Sequence, residues 1–154
     1  MKVGIIVHSH TGHTLSVARK LEARLSAVGH AVTLEQLEIA GPVDFSATTA
    51  ALKTRPAIDP YEALVLGSPV NGAHMSAAMK GYLDQIPSLQ GKKVALLLTH
   101  FFFQGWGANQ TIAQMTEACQ SKGAAVLGSG TVRWTSLRRR RQIASAVDSL
   151  SALF

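Results

Sequence analysis

The sequence is poor in cysteine, in acidic side chains and in long apolar runs. Cys119 is its single cysteine, so no disulfide can form within the chain, and a reducing, cytoplasmic location is expected. No apolar run approaches the ~20 residues that a membrane-spanning helix needs, so we expect no membrane span. One charged residue, Lys2, precedes a short apolar run at the N-terminus, which fits a buried first strand better than a signal peptide.

Two hydrophobic periodicities alternate along the 154 residues. Short apolar runs at 3–7, 63–68, 94–98 and 125–134 are typical of buried strands, and alternation at Val32 and Leu34 predicts an edge strand. Residues 39–60 contain Gly41-Pro42 and two further prolines, Pro56 and Pro60. These residues interrupt regular structure and predict a long surface connection, with a short helix at 48–52. Apolar residues at helical spacing predict the intervening helices: Leu21, Leu25 and Val28; Met75, Met79, Leu83 and Ile86; Ile112, Met115 and Cys119; Ile143, Val147 and Leu150.

This alternation of strands and helices predicts an α/β fold. We expect a single three-layer flavodoxin-like domain over residues 1–154, with a doubly wound five-stranded parallel sheet in the order 2-1-3-4-5. Ligands of such sheets bind outside the carboxyl ends of the strands, where the strand order reverses. The loops after the first, third and fourth strands are therefore the candidate site.

The first loop reads Ser9-His10-Thr11-Gly12-His13-Thr14. It connects a buried strand to an amphipathic helix, and the N–H groups and dipole at a helix N-terminus favour a phosphate. Hydroxyl side chains add uncharged donors, and Gly12 lets the backbone approach a ligand closely. The alternative is an ordinary N-cap, for which one Ser or Thr suffices. The chain has no Gly-x-x-x-x-Gly-Lys motif, which argues against a nucleoside-triphosphate P-loop.

In three segments the chain resembles the short-chain flavodoxin-like, FMN-binding family. The spacing Ser9-x-x-Gly12-x-Thr14 is similar to the loop that holds the FMN phosphate in that family. The stretch 67–84, which contains the second loop (residues 68–74), is similar to the second flavin loop of flavodoxin-like reductases. The stretch 99–109, which contains the third loop (residues 99–107), resembles the third flavin loop of short flavodoxin-family proteins. The resemblance implies one non-covalent FMN, bound by the whole first loop and by Ser68, Pro69, Val70, Asn71, Gly72, Ala73, His74, Thr99, His100, Phe101, Phe103, Trp106 and Gly107.

Two of these loops suggest specific roles. The family has a backbone carbonyl in the second loop that turns toward flavin N5–H on reduction, and Asn71-Gly72 suits such a peptide flip because glycine permits both orientations. The alternative is an ordinary Asn-Gly turn. In the third loop, the aromatic cluster of Phe101, Phe102, Phe103 and Trp106 suggests that Trp106 or Phe103 lies against the flavin ring. The alternative is that part of the cluster packs beneath the loop.

The histidines and the cysteine have plainer interpretations. We expect His10, His13, His74 or His100 to line the FMN crevice, where a protonated imidazole would favour the phosphate or the reduced, anionic flavin. His8, at the end of a strand, is expected to point away from His13. No carboxylate or cysteine accompanies the histidines in these loops, so no metal site is expected. Cys119 is predicted to be a buried structural thiol.

The sequence leaves three functions open. The first is a redox protein that carries electrons through FMN, the second an NAD(P)H-dependent quinone or flavin reductase, and the third a phospholigand-binding module that has lost flavin. Expected partners are a redox protein or NAD(P)H and a quinone, with the chain a monomer or homodimer. The net charge is +6, and Arg138–Arg141 form either a solvated helix start or a docking surface for an acidic redox partner. Without a nucleic-acid-binding motif, no nucleic acid is expected.

Overall fold

The apolar runs of the sequence become the strands of one sheet. The computed structural model describes residues 1–102 and 104–154. In chain order its elements are β1 (Lys2–Val7), α1 (His13–Ala27), β2 (Ala31–Gln36), β3 (Ala63–Asn71), β4 (His74–Met75), α2 (Ala77–Gln85), β5 (Lys93–His100), a π turn (Gln104–Ala108), α3 (Asn109–Gln120), β6 (Ala125–Arg133) and α4 (Arg139–Ser151).

The sheet has the predicted doubly wound topology. Its strands lie in the order β2-β1-β3-β5-β6, and all pairs along this path are parallel. Counted without β4, this is the order 2-1-3-4-5, so the predicted fold is confirmed. The two-residue strand β4 was not predicted; it pairs antiparallel with the end of β3 and closes a tight hairpin.

The central strands are apolar on both faces because helices cover both sides of the sheet. Alternate residues of each strand belong to different cores: Leu64 and Leu66 of β3 pack with α2 and α3, whereas Val65 packs with α1 and α4. Each fully buried aliphatic side chain of this kind stabilises the fold by roughly 1.5–3 kcal/mol. Burial on both faces holds each strand in place, and the end of each strand sets the position at which its loop begins.

Three local predictions are wrong. No helix forms at 48–52. Instead, Leu52 pairs with Ile39 in an isolated antiparallel bridge, so the second half of the β2–β3 connection runs back beside its first residues. Met75 lies in β4 rather than in the helix, because Ser76 caps α2 by accepting a hydrogen bond from the Met79 N–H. Val28 is exposed rather than buried, because α1 ends at Ala27 and the chain turns at Gly29.

Cys119 is fully buried on α3, as predicted, and burial raises the pKa of its thiol to about 11. Over residues 1–102 and 104–154, no helix has both the length and the hydropathy needed to cross a bilayer.

His8 joins the end of β1 to the start of α2. Its imidazole is almost completely buried, and its Nδ1 lies 2.8 Å from Oγ of Ser76, the N-cap of α2. Its backbone N–H donates to the Gly67 carbonyl at 2.9 Å. Burial, with a smaller contribution from the charge of His10, lowers the pKa of His8 to about 4. The folded chain therefore holds this imidazole in its neutral form.

We predict that acidification destabilises the fold through His8. The unfolded imidazole takes up a proton below its ordinary pKa of 6.5, whereas the folded one does not until about pH 4, so stability is lost as the pH falls through this window. At ~1.4 kcal/mol per pH unit, His8 alone should remove about 2 kcal/mol between pH 7 and pH 5. Urea unfolding at both pH values measures the loss.

The variant His8→Asn should show a smaller difference between the two pH values. Part of the difference should remain, because the pKa values of His13 and His100 are also lowered. The exposed His74→Asn controls for removal of one imidazole elsewhere. If His8→Asn and the parent chain lose stability equally on acidification, His8 is not the responsible group.

Candidate functional site

The first loop begins where β1 leaves the sheet and ends in the first turn of α1. Gly12 is the N-cap of α1 with φ +86°, a left-handed conformation that favours glycine, and no side chain of the N-cap closes the helix end. The Ser9 hydroxyl does so instead, accepting the Leu15 N–H at 3.2 Å. Ser9 is therefore a helix-capping residue whose own hydroxyl proton remains available to a ligand. Thr11 is exposed.

Thr14 and Thr99, both predicted as ligand contacts, are buried. Their hydroxyl oxygens lie 2.7 Å apart, so they share a hydrogen bond that joins the first loop to the third. The structure thus gives these two residues a role in holding the loops together.

A cavity of about 310 Å³ opens between the three loops. This volume lies in the range of sites for small ligands and cofactors. Its lining residues come from the first loop, the β2–β3 connection, the second loop, the α2 start and the third loop: His8, His10, Thr11, Ile39, Val43, Asp44, Phe45, Pro69, Val70, Asn71, Gly72, Ser76, Ala77, Phe101 and Phe102. Aromatic and aliphatic walls with few polar groups suit a planar ring.

The second loop is built as a hairpin. Ser68 is buried; its hydroxyl donates to the Pro69 carbonyl and accepts from the Ser76 N–H. Asn71 pairs with His74 across the turn of Gly72 and Ala73, and Gly72 has φ +64°. Gly72 therefore lies in a turn. This position is compatible both with a peptide flip toward flavin N5–H and with an ordinary Asn-Gly turn.

Gly107 of the third loop packs against the turn of the second loop. Its φ is +115°, and a Cβ added there would lie 2.3 Å from the Gly72 carbonyl oxygen, which is closer than atoms can approach. Only glycine fits at position 107. The backbones of the second and third loops are therefore in direct contact here.

Three aromatic residues of the third loop, Phe101, Phe102 and Trp106, are exposed. Phe101, Phe102 and Trp106 are 48%, 66% and 72% exposed, so these three do not pack beneath the loop. Phe101 and Phe102 line the cavity, whereas Trp106 does not; its ring lies 6.4 Å from that of Phe102. Phe103 lies outside the described residues. The ring contact expected of Trp106 or Phe103 thus stays a prediction.

The histidines are dispersed around the cavity. His10 lines it and meets the Phe45 ring edge-on at 5.0 Å. His13 stacks on Trp134, with centroids 4.1 Å apart and planes 14° apart. His74 is exposed beside a neighbouring hollow, and His100 is buried, donating from Nδ1 to the Phe102 carbonyl. In the described part of the chain, no group of three or more His, Cys, Asp or Glu side chains is placed to hold a metal ion.

The surroundings of His13 and His100 lower the pKa values of both imidazoles. Burial, and then the Arg139 guanidinium, lower the pKa of His13; burial, and then Arg133, lower that of His100 against the raising effect of its bond to Phe102. At both positions the protonated imidazole is therefore less favoured than in a free histidine.

Sequence reasoning missed the wall supplied by the β2–β3 connection. Ile39, Val43, Asp44 and Phe45 line the cavity, although this segment has no periodic pattern. Phe45 is the one aromatic residue of the irregular stretch 39–60, and this was the available signal. Hydrogen bonds from the Ser46 hydroxyl and N–H lower the pKa of Asp44, so this wall carries a negative charge at neutral pH.

The residues present fit FMN. The N-terminus of α1, with Ser9 and the exposed Thr11, offers donors to a phosphate at one end of the cavity. Phe45, Phe101 and Val70 offer apolar contact to a planar ring at the other walls.

Comparison with known proteins agrees with this geometry. The family model of NADPH-dependent FMN reductase matches residues 1–136. A flavodoxin of Megasphaera elsdenii is 29% identical over 133 residues, covering 84% of this chain and 85% of that protein.

Solved structures share the fold at lower sequence identity. The oxidised flavodoxin 1 of Bacillus cereus superposes with a TM-score of 0.72 at 19% identity, covering 99% of this chain and 96% of that one. A flavoprotein of Lactobacillus acidophilus in complex with FMN gives a TM-score of 0.69 at 17% identity, covering 94% and 97%. The resemblance inferred from the three loops is confirmed: this chain belongs to the NADPH-dependent FMN reductase family and is a flavodoxin-like, FMN-binding redox protein.

Proposed function

We propose that this chain is an electron carrier whose FMN is held by the first, second and third loops. FMN supplies one- and two-electron transfer when bound. The protein's part is to bind and orient it, to keep water from most of its surface and to leave one edge open to a partner. The observation that carries the proposal is the cavity at the carboxyl edge, walled by outward-facing aromatic rings beside a helix N-terminus. The buried, single thiol favours a cytoplasmic location.

The phosphate end is assigned to the start of α1. The first N–H groups of a helix have no partner within it, and the positive dipole end favours an anion. Gly12 exposes that helix end, Ser9 contributes its hydroxyl proton, and Thr11 lies both in the loop and in the cavity wall. The imidazole of His13 stacks on Trp134.

The ring end is assigned to the second and third loops. Phe101 and Phe102 are exposed, and Pro69, Asn71 and Gly72 line the same cavity. Backbone donors and acceptors there can hydrogen-bond the polar edge of a flavin while the aromatic rings contact its faces. The Gly72–Gly107 contact keeps the two loops at a fixed separation.

The phosphate assignment predicts that Thr11→Ala weakens FMN but not riboflavin. Loss of one charge-assisted hydrogen bond should reduce FMN affinity by about tenfold, whereas riboflavin has no phosphate to lose. Fluorescence titration of each flavin gives the two dissociation constants. Thr48→Ala, outside the cavity lining, is the matched control. An equal loss for both flavins in Thr11→Ala would place the phosphate elsewhere.

The hairpin turn predicts that Gly72→Ala changes the redox potentials of the bound flavin. The added Cβ meets no atom within 4 Å, but φ +64° is costly for alanine, so the peptide's choice of orientation changes. A cost of about 1 kcal/mol corresponds to roughly 40 mV in a one-electron potential. Gly29→Ala, which also has positive φ and open space but ends α1, is the control. Potentials that stay within error in Gly72→Ala leave Gly72 as an ordinary turn residue.

A second function, an NAD(P)H-dependent quinone or flavin reductase, is favoured by the family model that the chain matches. The two functions differ in whether the chain itself accepts electrons from a nicotinamide. For a carrier, we expect NADPH and NADH with a quinone or free FMN to give no sustained turnover, while a separate flavoprotein reductase restores flavin reduction. Steady oxidation of NADPH by the purified chain, followed at the nicotinamide absorbance, would identify a reductase instead.

A further inference from the structure

A basic surface lies beside the candidate FMN site. We define the arginine surface as residues 134–141, the connection from β6 into the first turn of α4. It lines an open groove of about 710 Å³. Leu137 and the arginines Arg138–Arg141 are all exposed, and Leu137 is fully so. The surface thus combines four consecutive cations with one projecting apolar side chain.

Within residues 1–102 and 104–154, no ion pair neutralises the arginines of this surface. Of the ion pairs in the described residues, one joins Arg24 to Asp148 and the other Lys80 to Asp84. Arg139 donates instead to the Trp134 carbonyl and lies over the Trp134 ring at 4.7 Å. The remaining arginines extend into solvent at the positive dipole end of α4, where cations are unfavourable and an anionic partner is favoured.

Two contacts fix this surface to the rim of the FMN cavity. Trp134 stacks on His13 of the first loop, and the Thr135 hydroxyl donates to the Phe101 carbonyl of the third loop at 2.5 Å. The arginine surface therefore continues into the exposed rings of Phe101 and Phe102. A molecule seated on it would lie next to the open side of the cavity.

The chemistry of this surface selects its partner. A free anion would leave Leu137 and the exposed rings uncovered, whereas a protein surface can cover them and match four positive charges at once. A second copy of this chain fits poorly, because a two-fold interface would bring the same arginines together. We propose that the arginine surface docks the acidic face of a redox partner protein, with Leu137 as its apolar contact. This inference rests on the proposed electron-carrier function.

The test measures binding of an acidic probe to the FMN-loaded chain. The probe is an acidic plant-type [2Fe–2S] ferredoxin, and affinity is measured calorimetrically at about 25 mM and about 250 mM NaCl. The variant Arg140→Gln/Arg141→Gln should weaken binding by about fivefold at low salt and flatten the salt dependence. The matched control, Lys2→Gln/Lys93→Gln, removes the same charge at the opposite edge of the sheet and should change affinity by less than about twofold.

Three results would overturn the docking proposal. Equal losses in the two double variants would mean that total charge alone matters. Tighter binding to basic cytochrome c than to the ferredoxin would reverse the partner's sign. Binding to phosphatidylserine vesicles without binding to the ferredoxin would make the surface a membrane contact. The flavin spectrum, recorded before each titration, separates these outcomes from failure of the proposed function: a parent chain that takes up no FMN refutes the carrier itself.

Discussion

The spacing of parallel strands is the constraint on which this molecule depends. Neighbouring strands lie ~4.8 Å apart, so the ends of β1, β3 and β5 span only about 10 Å. Because both faces of these strands are buried, none can shift without exposing a core. The three loops must therefore meet at one edge, and the chain needs only short-range contacts to join them. The Thr14–Thr99 hydrogen bond and the packing of Gly107 on the Gly72 carbonyl are those contacts.

The parts of the fold that the sequence predicts are those that repeat. Strands such as β3 and β5 are apolar on both faces, and the helices keep their apolar spacing, so both appear as patterns in the chain. Features without a pattern were missed. Strand β4 is two residues long and is defined by its pairing with β3, and Leu52 is the bridge partner of Ile39 across a connection with no periodicity. Such elements depend on tertiary partners that no local window contains.

The candidate site also has features that the sequence predicts and features that depend on tertiary contacts. The first loop was predictable because a buried strand, hydroxyls, a glycine and a helix follow one another in the sequence. The stacking of His13 on Trp134 was not predictable, because 120 residues lie between the two in the chain and they meet only in the folded structure. The lowered pKa of His13 likewise depends on the folded structure. The residue type alone thus does not reveal the tertiary surroundings that set its pKa.

The buried thiol has a practical consequence. Cys119, the one cysteine of the chain, is fully buried in the core. Burial raises the pKa of its thiol to about 11, so almost none of it is thiolate at neutral pH. A cysteine introduced anywhere on the exterior would be the sole reactive sulfur. Spectroscopic labels could then be attached at one chosen position of the otherwise native polypeptide, without first removing a natural side chain.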